Sequence, residues 1–382
     1  MISSCLFQIP DDKGFLLEGD IMFKQRLQQD RHAGVSRRNF IQRGAGTAFA
    51  VAGSGMPGLS FGTGPTTLAC SFRSLTNPYH AAFNKGAQSF AKSVGLPYVP
   101  LTTEGSSEKG IADIRALLQK TGGNLVLNVD PNDSADARVI VETCAKAGAH
   151  VTTIWNKPND FHPWDFNPHY VAHLSFDGLA YGAATATELF KAMGGQGGVV
   201  ALGGIFSNVP AIERKAGLMA ALKKFPDIQL LDFQVADWDS QKAFPIMQAW
   251  LTRFNTKVKG VWAANDDMAL GAIEALRAEG LAGQLLVSGM DGTQPGLAAL
   301  KAGELVATVD WDPYWLGGVG LSMGLSAQQK KMDVARLPKE RRESFCKATL
   351  VSKANLQAVL ARRATPAADW NDARVAGPLV YR

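Results

Sequence analysis

The chain has few of the features by which a sequence announces reactive chemistry. Only four cysteines occur in 382 residues, Cys5, Cys70, Cys144 and Cys346. None forms a CxxC pair or stands at zinc-ligand spacing, which excludes a zinc ribbon and a thioredoxin-like motif. The spacing argues for no disulfide among the last three. Cys144, inside the helical pattern "ARVIVETCAKAG", reads as a small buried apolar residue. The six histidines (His32, His80, His150, His162, His169, His173) are scattered, so no metal site is expected. No nucleophile elbow between a strand and a helix is apparent. "GGQGG" (Gly194 to Gly198) precedes a strand instead of following one, and so fails the context required of a dinucleotide loop. No cofactor is expected, and an enzyme is the weaker class.

Charge is also scarce. The net +5 comes from 39 Lys and Arg against 34 Asp and Glu, without long basic runs. Beyond residue 62 the balance is 32 against 29, too little to steer the protein onto nucleic acid. No apolar run reaches the ~20 residues of a membrane span. With 46% hydrophobic and 19% charged residues, the composition is that of a soluble globular protein. At roughly 150 residues per domain the length suggests two domains.

The front end reads as an address. "SRRNFIQRGAGTAFAVAGSG" (Ser36 to Gly55) pairs Arg37 and Arg38, adds Phe40 and Ile41, and continues into a weakly apolar Ala/Gly stretch. It resembles the twin-arginine export signal, which implies a periplasmic location. Residues 1–62 are therefore assigned to signal and leader, with Met22 as an alternative start and cleavage after Ala48–Ala50 or Ala50–Ala52. "TLAC" superficially suggests a lipoprotein site, but Cys70 falls inside a strand-like run, and that reading is rejected.

From Thr66 onward, short apolar runs alternate with amphipathic stretches of 12 to 18 residues. The runs are "TTLACSF", "YVPL", "LVLNV", "HVTTIW", "VVALGG", "IQLLDFQV", "GVWAA", "LLVSGM" and "LVATVD". Continuous apolar strands between helices mean parallel sheets covered on both faces. Nine units are too many for one doubly wound sheet. The fold class expected is therefore α/β, with two similar doubly wound lobes and a break near "NPHYVAHLSFDG". Open α/β sheets bind ligands beyond the carboxyl ends of their strands. The segments there include "SLTNPYH", "NVDPND", "IWNKPND", "GGIFSNVP", "VADWDS", "WAANDD", "GMDGTQ" and "VDWDP", nearly all polar with an aromatic or proline nearby. Single residues have plainer readings: Asp266 or Asp267 as a helix cap, Asp291 as a turn residue, a lone Trp as core. The recurrence over eight loops favours a polar cleft.

With these loops in hand, the chain resembles the ribose/galactose-type periplasmic sugar-binding proteins, the solute receptors of ABC importers. The likeness spans about Pro65 to Lys353 and rests on four ordered motifs: "NPYHAAFNKGAQSFAKSVG", "PAIERKAGL", "AANDDMALGAIEAL" and "SGMDGTQPGLAALKAGELVATV". It implies a type I periplasmic-binding-protein fold with a multi-segment hinge. The first lobe is 63–174 plus 310–338 and the second 175–309 plus 339–356, with crossings near 174–175, 309–310 and 337–339. Residues 357–382 extend past the likeness.

The resemblance further implies that Asn77, Tyr79 and His80 flank a sugar ring, that Arg214 donates to hydroxyls, that Trp238 stacks, and that Asn265 and Asp291 read hydroxyls. It departs from the family pattern at Trp155-Asn156, where an Asp-Arg pair is usual, and at Trp311, where a glutamine is usual. Trp311 is expected at the hinge, facing the ligand. These changes imply a ligand with fewer or differently placed hydroxyls than ribose, a monosaccharide or small sugar alcohol. The implied partner is a membrane permease, with the receptor itself a monomer. A periplasmic sensory receptor signalling to a membrane kinase or chemoreceptor is the alternative. A ligand-responsive repressor would need a DNA-binding element in front, where the export signal stands instead.

Overall fold

The nine apolar runs fold as strands, mostly parallel, in two separate sheets. A computed structural model describes residues 64–364, 369–371 and 374–379, all within one unit, 59–382. The twin-arginine segment, the alternative start, the cleavage sites and Cys5 lie outside the described residues.

The first sheet is built from β1 (Thr67–Phe72), β2 (Tyr98–Thr102), β3 (Leu125–Val129), β4 (His150–Ile154) and β5 (Tyr170–Ser175). The second contains β6 (Gly197–Gly203), β7 (Ile228–Val235), β8 (Val258–Ala263), β9 (Leu286–Ser288) and β10 (Ala307–Asp310). Three later strands complete them: β11 (Glu343–Cys346), β12 (Thr349–Ser352) and β13 (Val375–Pro378). The strand orders are β13-β11-β5-β4-β3-β1-β2 and β12-β10-β9-β8-β6-β7. Only β12 and β13 run antiparallel to their neighbours.

Helices link and cover the strands: α1 (Pro78–Ser93), α2 (Ser107–Thr121) and α3 (Asp136–Lys146) in the first lobe, then α4 (Gly178–Ala192), α5 (Val209–Leu222), α6 (Ser240–Phe254), α7 (Asp266–Ala278) and α8 (Gln294–Ala302) in the second. They are followed by α9 (Pro313–Gln328), α10 (Lys339–Arg342) and α11 (Leu356–Ala364). Helix α2 ends at Gly122 and α8 at Gly303, both left-handed, as Gly stop signals predict. Helix α9 returns to the first lobe and is buried along almost its whole length. It packs on α1 so closely that a Cβ on Gly86 would lie 1.7 Å from the Tyr314 carbonyl oxygen, and one on Gly317 2.0 Å from that of Phe83. Only glycine permits that approach.

Two expectations are corrected. The segment "YVAHLS", read as a break in the rhythm, is β5, with all six residues buried. Its polar residue has internal partners: His173 Nδ1 lies 2.8 Å from Thr153 Oγ1, and Thr153 Oγ1 lies 2.6 Å from Tyr170 Oη. Burial holds His173 well below its ordinary pKa and keeps it neutral. The third crossing is also later than 337–339. Helix α10 and β11 stay with the first lobe, and the chain crosses at Lys347–Ala348, between β11 and β12. In the charged run "KERRES" Lys339, Glu340 and Arg341 are exposed, whereas Arg342 and Glu343 are buried and partnered inside. Buried Arg342 donates to the carbonyls of Val171 (3.1 Å) and Pro163 (2.8 Å) and to Asn167 Oδ1 (2.6 Å). Glu343 meets the buried Lys157 ammonium at 2.9 Å. The other crossings are Phe176–Asp177 and Trp311–Asp312.

Of the cysteines, Cys70 and Cys144 are free and buried; burial pushes the Cys144 thiol up to about 12. Cys70 lies inside β1, as the strand reading required.

Candidate functional site

The carboxyl ends of both sheets face one cavity of about 510 Å³, its mouth included, within the size range of small-molecule sites. Nine of the ten expected residues line it: Asn77, Tyr79, His80, Trp155, Asn156, Arg214, Trp238, Asn265 and Asp291.

On the first lobe the loop after β1 ends in a helix cap. Asn77 Oδ1 accepts from Tyr79 N at 2.9 Å, and this turn points Tyr79 and His80 into the cavity. His80 Nε2 lies 3.3 Å from Asp130 Oδ2, at the end of β3. The other oxygen of Asp130 accepts from Asn156 Nδ2 at 3.1 Å. Trp155 takes a left-handed backbone, φ 58°, and its Nε1 donates to Tyr79 Oη at 2.7 Å. Burial raises the Tyr79 phenol well above its ordinary range.

On the second lobe Trp238 is also left-handed, φ 65°, and donates from Nε1 to Asn208 Oδ1 at 2.9 Å. Asn265 caps α7 by accepting from Met268 N at 2.9 Å, while its Nδ2 donates to the Trp238 carbonyl at 3.4 Å. The cap of α7 is thus Asn265. Asp266 is instead a fully buried carboxylate accepting from Thr293 N, Thr293 Oγ1 and Thr308 Oγ1 at 2.7, 3.0 and 2.6 Å. Asp291 holds φ 134°, a conformation uncommon for a side-chain-bearing residue and typical of ligand clamps.

Arg214 is the centre of the site. It is 3% exposed, donates from Nη1 to the Ala264 carbonyl at 2.6 Å and lies 3.5 Å from Asp291. Three indoles surround its guanidinium: Trp155 at 4.9 Å, Trp311 at 5.2 Å and Trp238 at 5.3 Å. Such cation–π contacts are worth ~2 kcal/mol or more when desolvated. Burial pushes both partners of the pair toward their neutral forms, and their mutual attraction opposes it. The guanidinium keeps its charge. Arg214 Nε and His80 Nδ1, one on each lobe, are buried with no hydrogen-bond partner among the described residues.

Trp311 departs from expectation. It is fully buried and does not line the cavity. It sits behind the lining, donating from Nε1 to Asp291 Oδ1 at 3.0 Å and packing on Trp155, Phe176 and Tyr181 with ring centroids 5.4, 4.9 and 5.1 Å away. A large ring at a crossing between lobes is covered by both, so it becomes hinge core.

Six lining residues were not singled out from the sequence: Arg73, Asp130, Pro131, Asn132, Asn208 and Pro210. The first five follow the ends of strands β1, β3 and β6, and Pro210 opens the first turn of α5. The lobes touch around the mouth. Asn77 Nδ2 donates to the Trp238 carbonyl (3.3 Å), Asn208 Nδ2 to that of Asn132 (3.2 Å) and Ser134 Oγ to that of Ser207 (3.0 Å). This is a closed cleft. Its carboxylates accept, its guanidinium groups donate and its amides do both, the mixture that hydroxyl groups require. Among the described residues no His/Cys/Asp/Glu group could hold a metal ion.

Comparison with known proteins agrees with this two-lobe fold. A family profile described as "Periplasmic binding protein domain" matches residues 68–332. The chain is 30% identical to the ribose import binding protein RbsB of Salmonella typhimurium over 257 residues, covering 67% of this chain and 83% of that protein. It is 35% identical to the xylitol-binding protein of Mycolicibacterium smegmatis over 159 residues, 42% of this chain and 44% of that one. The crystal structure of a twin-arginine translocation pathway signal protein from Burkholderia phytofirmans matches with a TM-score of 0.83 and 83% identity, over 84% of this chain and all of the other.

Proposed function

The chain belongs to the periplasmic binding protein domain family, and from that premise we propose that it is the periplasmic receptor of an ABC importer for a monosaccharide or small sugar alcohol. The observation that carries the reading is the closed cavity itself. Two arginines (Arg73, Arg214) face two carboxylates (Asp130, Asp291) there among amides and indoles, a balance suited to an uncharged polyhydroxyl ligand. Bonds to charged groups contribute about 1.5–3 kcal/mol each. A few of them, with ring stacking, reach the roughly −8 kcal/mol of micromolar binding. The similarity to ribose- and xylitol-binding proteins supports the same class. Arg214 Nε and His80 Nδ1, left without partners, are natural points for a ligand to bridge the lobes.

The ligand stabilises the closed arrangement and so shifts the open–closed equilibrium; a membrane permease then reads the closed shape. The protein acts as a monomer, after twin-arginine export, and does no chemistry on its ligand. Thermal melting against D-ribose, D-allose, xylitol and related pentoses and pentitols tests this. A ligand at 100 times its Kd adds about 2.7 kcal/mol, a shift of a few degrees. Asp130→Asn should shrink the shift while leaving the ligand-free melt in place. If no carbohydrate or polyol moves the melt of folded protein, the sugar assignment is wrong.

A further inference from the structure

The three crossings are not the only links between the lobes. Helix α11 packs on the second lobe, where Leu356 and Val359 are buried. Beyond it, Trp370 and strand β13 lie on the first lobe. There the Trp370 ring packs on Phe90 and Tyr314, with centroids 6.0 and 5.6 Å away, and over Gly318, whose added Cβ would lie 2.2 Å from the indole. Strand β13 then pairs with β11 at the edge of the first sheet. The chain therefore passes between lobes a fourth time, beyond the residues that the family profile matches.

Both ends of this passage grip the second crossing. On the second-lobe side Asp310, 3% exposed, is held by Arg362 Nη2 at 2.5 Å and by both Nε and Nη2 of Arg363. On the first-lobe side Arg374 Nη1 donates to Asp312 Oδ2 at 2.6 Å, with its guanidinium 4.6 Å from the Trp315 ring. Asp310 and Asp312 flank Trp311, which contacts Asp291 of the cavity. A pair anchored on a carboxylate this buried is not the weak surface kind. From Ala364 to Asp369 there are five residue steps, a reach of at most about 18 Å. Separation of the anchors is bounded by that length.

We propose that α11 and the tail residues after it act as a strap that limits opening of the hinge and biases the ligand-free protein toward the closed arrangement. The inference rests on the hinge-closure reading above but not on the identity of the ligand. Opening rotates one lobe against the other about the crossings. It must therefore either break the Arg374–Asp312 contact, the Trp370 packing and the β13–β11 pairing or stop at the reach of the strap.

Small-angle X-ray scattering of the ligand-free full chain tests it. Arg374→Ala with Trp370→Ala removes both side-chain anchors, and a chain ending at Ala364 also removes the β13 pairing, so one variant reads if the other fails to melt cooperatively. Each is compared with a form locked shut by a rim disulfide, Ser134→Cys with Ser207→Cys, made between residues that already touch. The expected result is a larger radius of gyration for the reduced strap variants than for the reduced parent, and one common smaller value once all are locked. If the variants scatter like the parent while locking still compacts them, the hinge stands and the strap is refuted. If locking changes no form, the lobes do not open and both readings fall.

Discussion

Replacing Trp311 by phenylalanine removes one hydrogen bond from a carboxylate that has few alternatives. Trp311 is fully buried and Asp291 is 5% exposed; the bond between them is 3.0 Å, and Arg214 stands farther off at 3.5 Å. Leaving a buried acceptor without its donor costs about 1–3 kcal/mol. The lost part of the indole leaves a void, which at ~24 cal/mol per Å³ adds about 1 kcal/mol. Trp311→Phe should therefore cost about 2–4 kcal/mol. Trp311→Ala, which opens the whole ring cavity between Trp155, Phe176 and Tyr181, should cost more than the ~3–5 kcal/mol typical of aromatic truncations. Denaturant midpoints with an unchanged slope measure both. Because the indole lies behind the lining, Trp311→Phe should weaken binding of every carbohydrate that binds by a similar factor, without reordering preference. A loss under about 0.5 kcal/mol, the range of neutral surface changes, would refute the hydrogen-bond assignment. A changed order of ligand preference would instead return Trp311 to the cavity wall.

Other consequences are as direct. Burial, the largest influence, pushes the Asp267 carboxyl up to about 6, with the Ser240 N–H opposing. The folded state then binds this proton more tightly than the unfolded one, so stability falls as pH rises from about 4 to 6 and stays lower above. Asp267→Asn should flatten that fall in a melting-versus-pH series; parallel curves for parent and variant would contradict it. Lys157→Met leaves Glu343 buried without its 2.9 Å ammonium partner, and should cost about 3–5 kcal/mol. Adding Glu343→Gln should recover part of that loss in denaturant unfolding, and no recovery would argue against a coupled pair. Gly317→Ala drives a methyl to 2.0 Å from the Phe83 carbonyl oxygen and should destabilise by at least the ~1–3 kcal/mol of overpacking. Gly64→Ala, with open space around it, serves as the neutral control in the same melts.

What the sequence determined by itself was local and periodic. The runs that became β1, β3, β4, β6 and β8–β10 were legible because strands buried on both faces must be continuously apolar, while the edge strands β2 and β7, only partly buried, showed as shorter or mixed apolar runs. The helices were legible because their Gly stops and amphipathic spacing are local devices. The candidate site was legible in part for the same reason: parallel strands send every carboxyl-end loop to one edge, so the polar loops that carry Asn77 and Asp291 gather there, whereas Arg214, inside α5, was read only from the family resemblance. Tertiary structure alone decided the rest. Strand β5 carries a histidine whose polarity is answered by Thr153, and the run around Arg342 and Glu343 is charged yet buried; neither partner is near in sequence. The depth of Trp311 depended on two lobes closing over one ring. The passage of the tail back to the first lobe depended on carboxylates at Asp310 and Asp312 finding arginines more than fifty residues away. Periodicity reports which side of an element is apolar, but partners for buried charges come from packing, and only the folded chain supplies them.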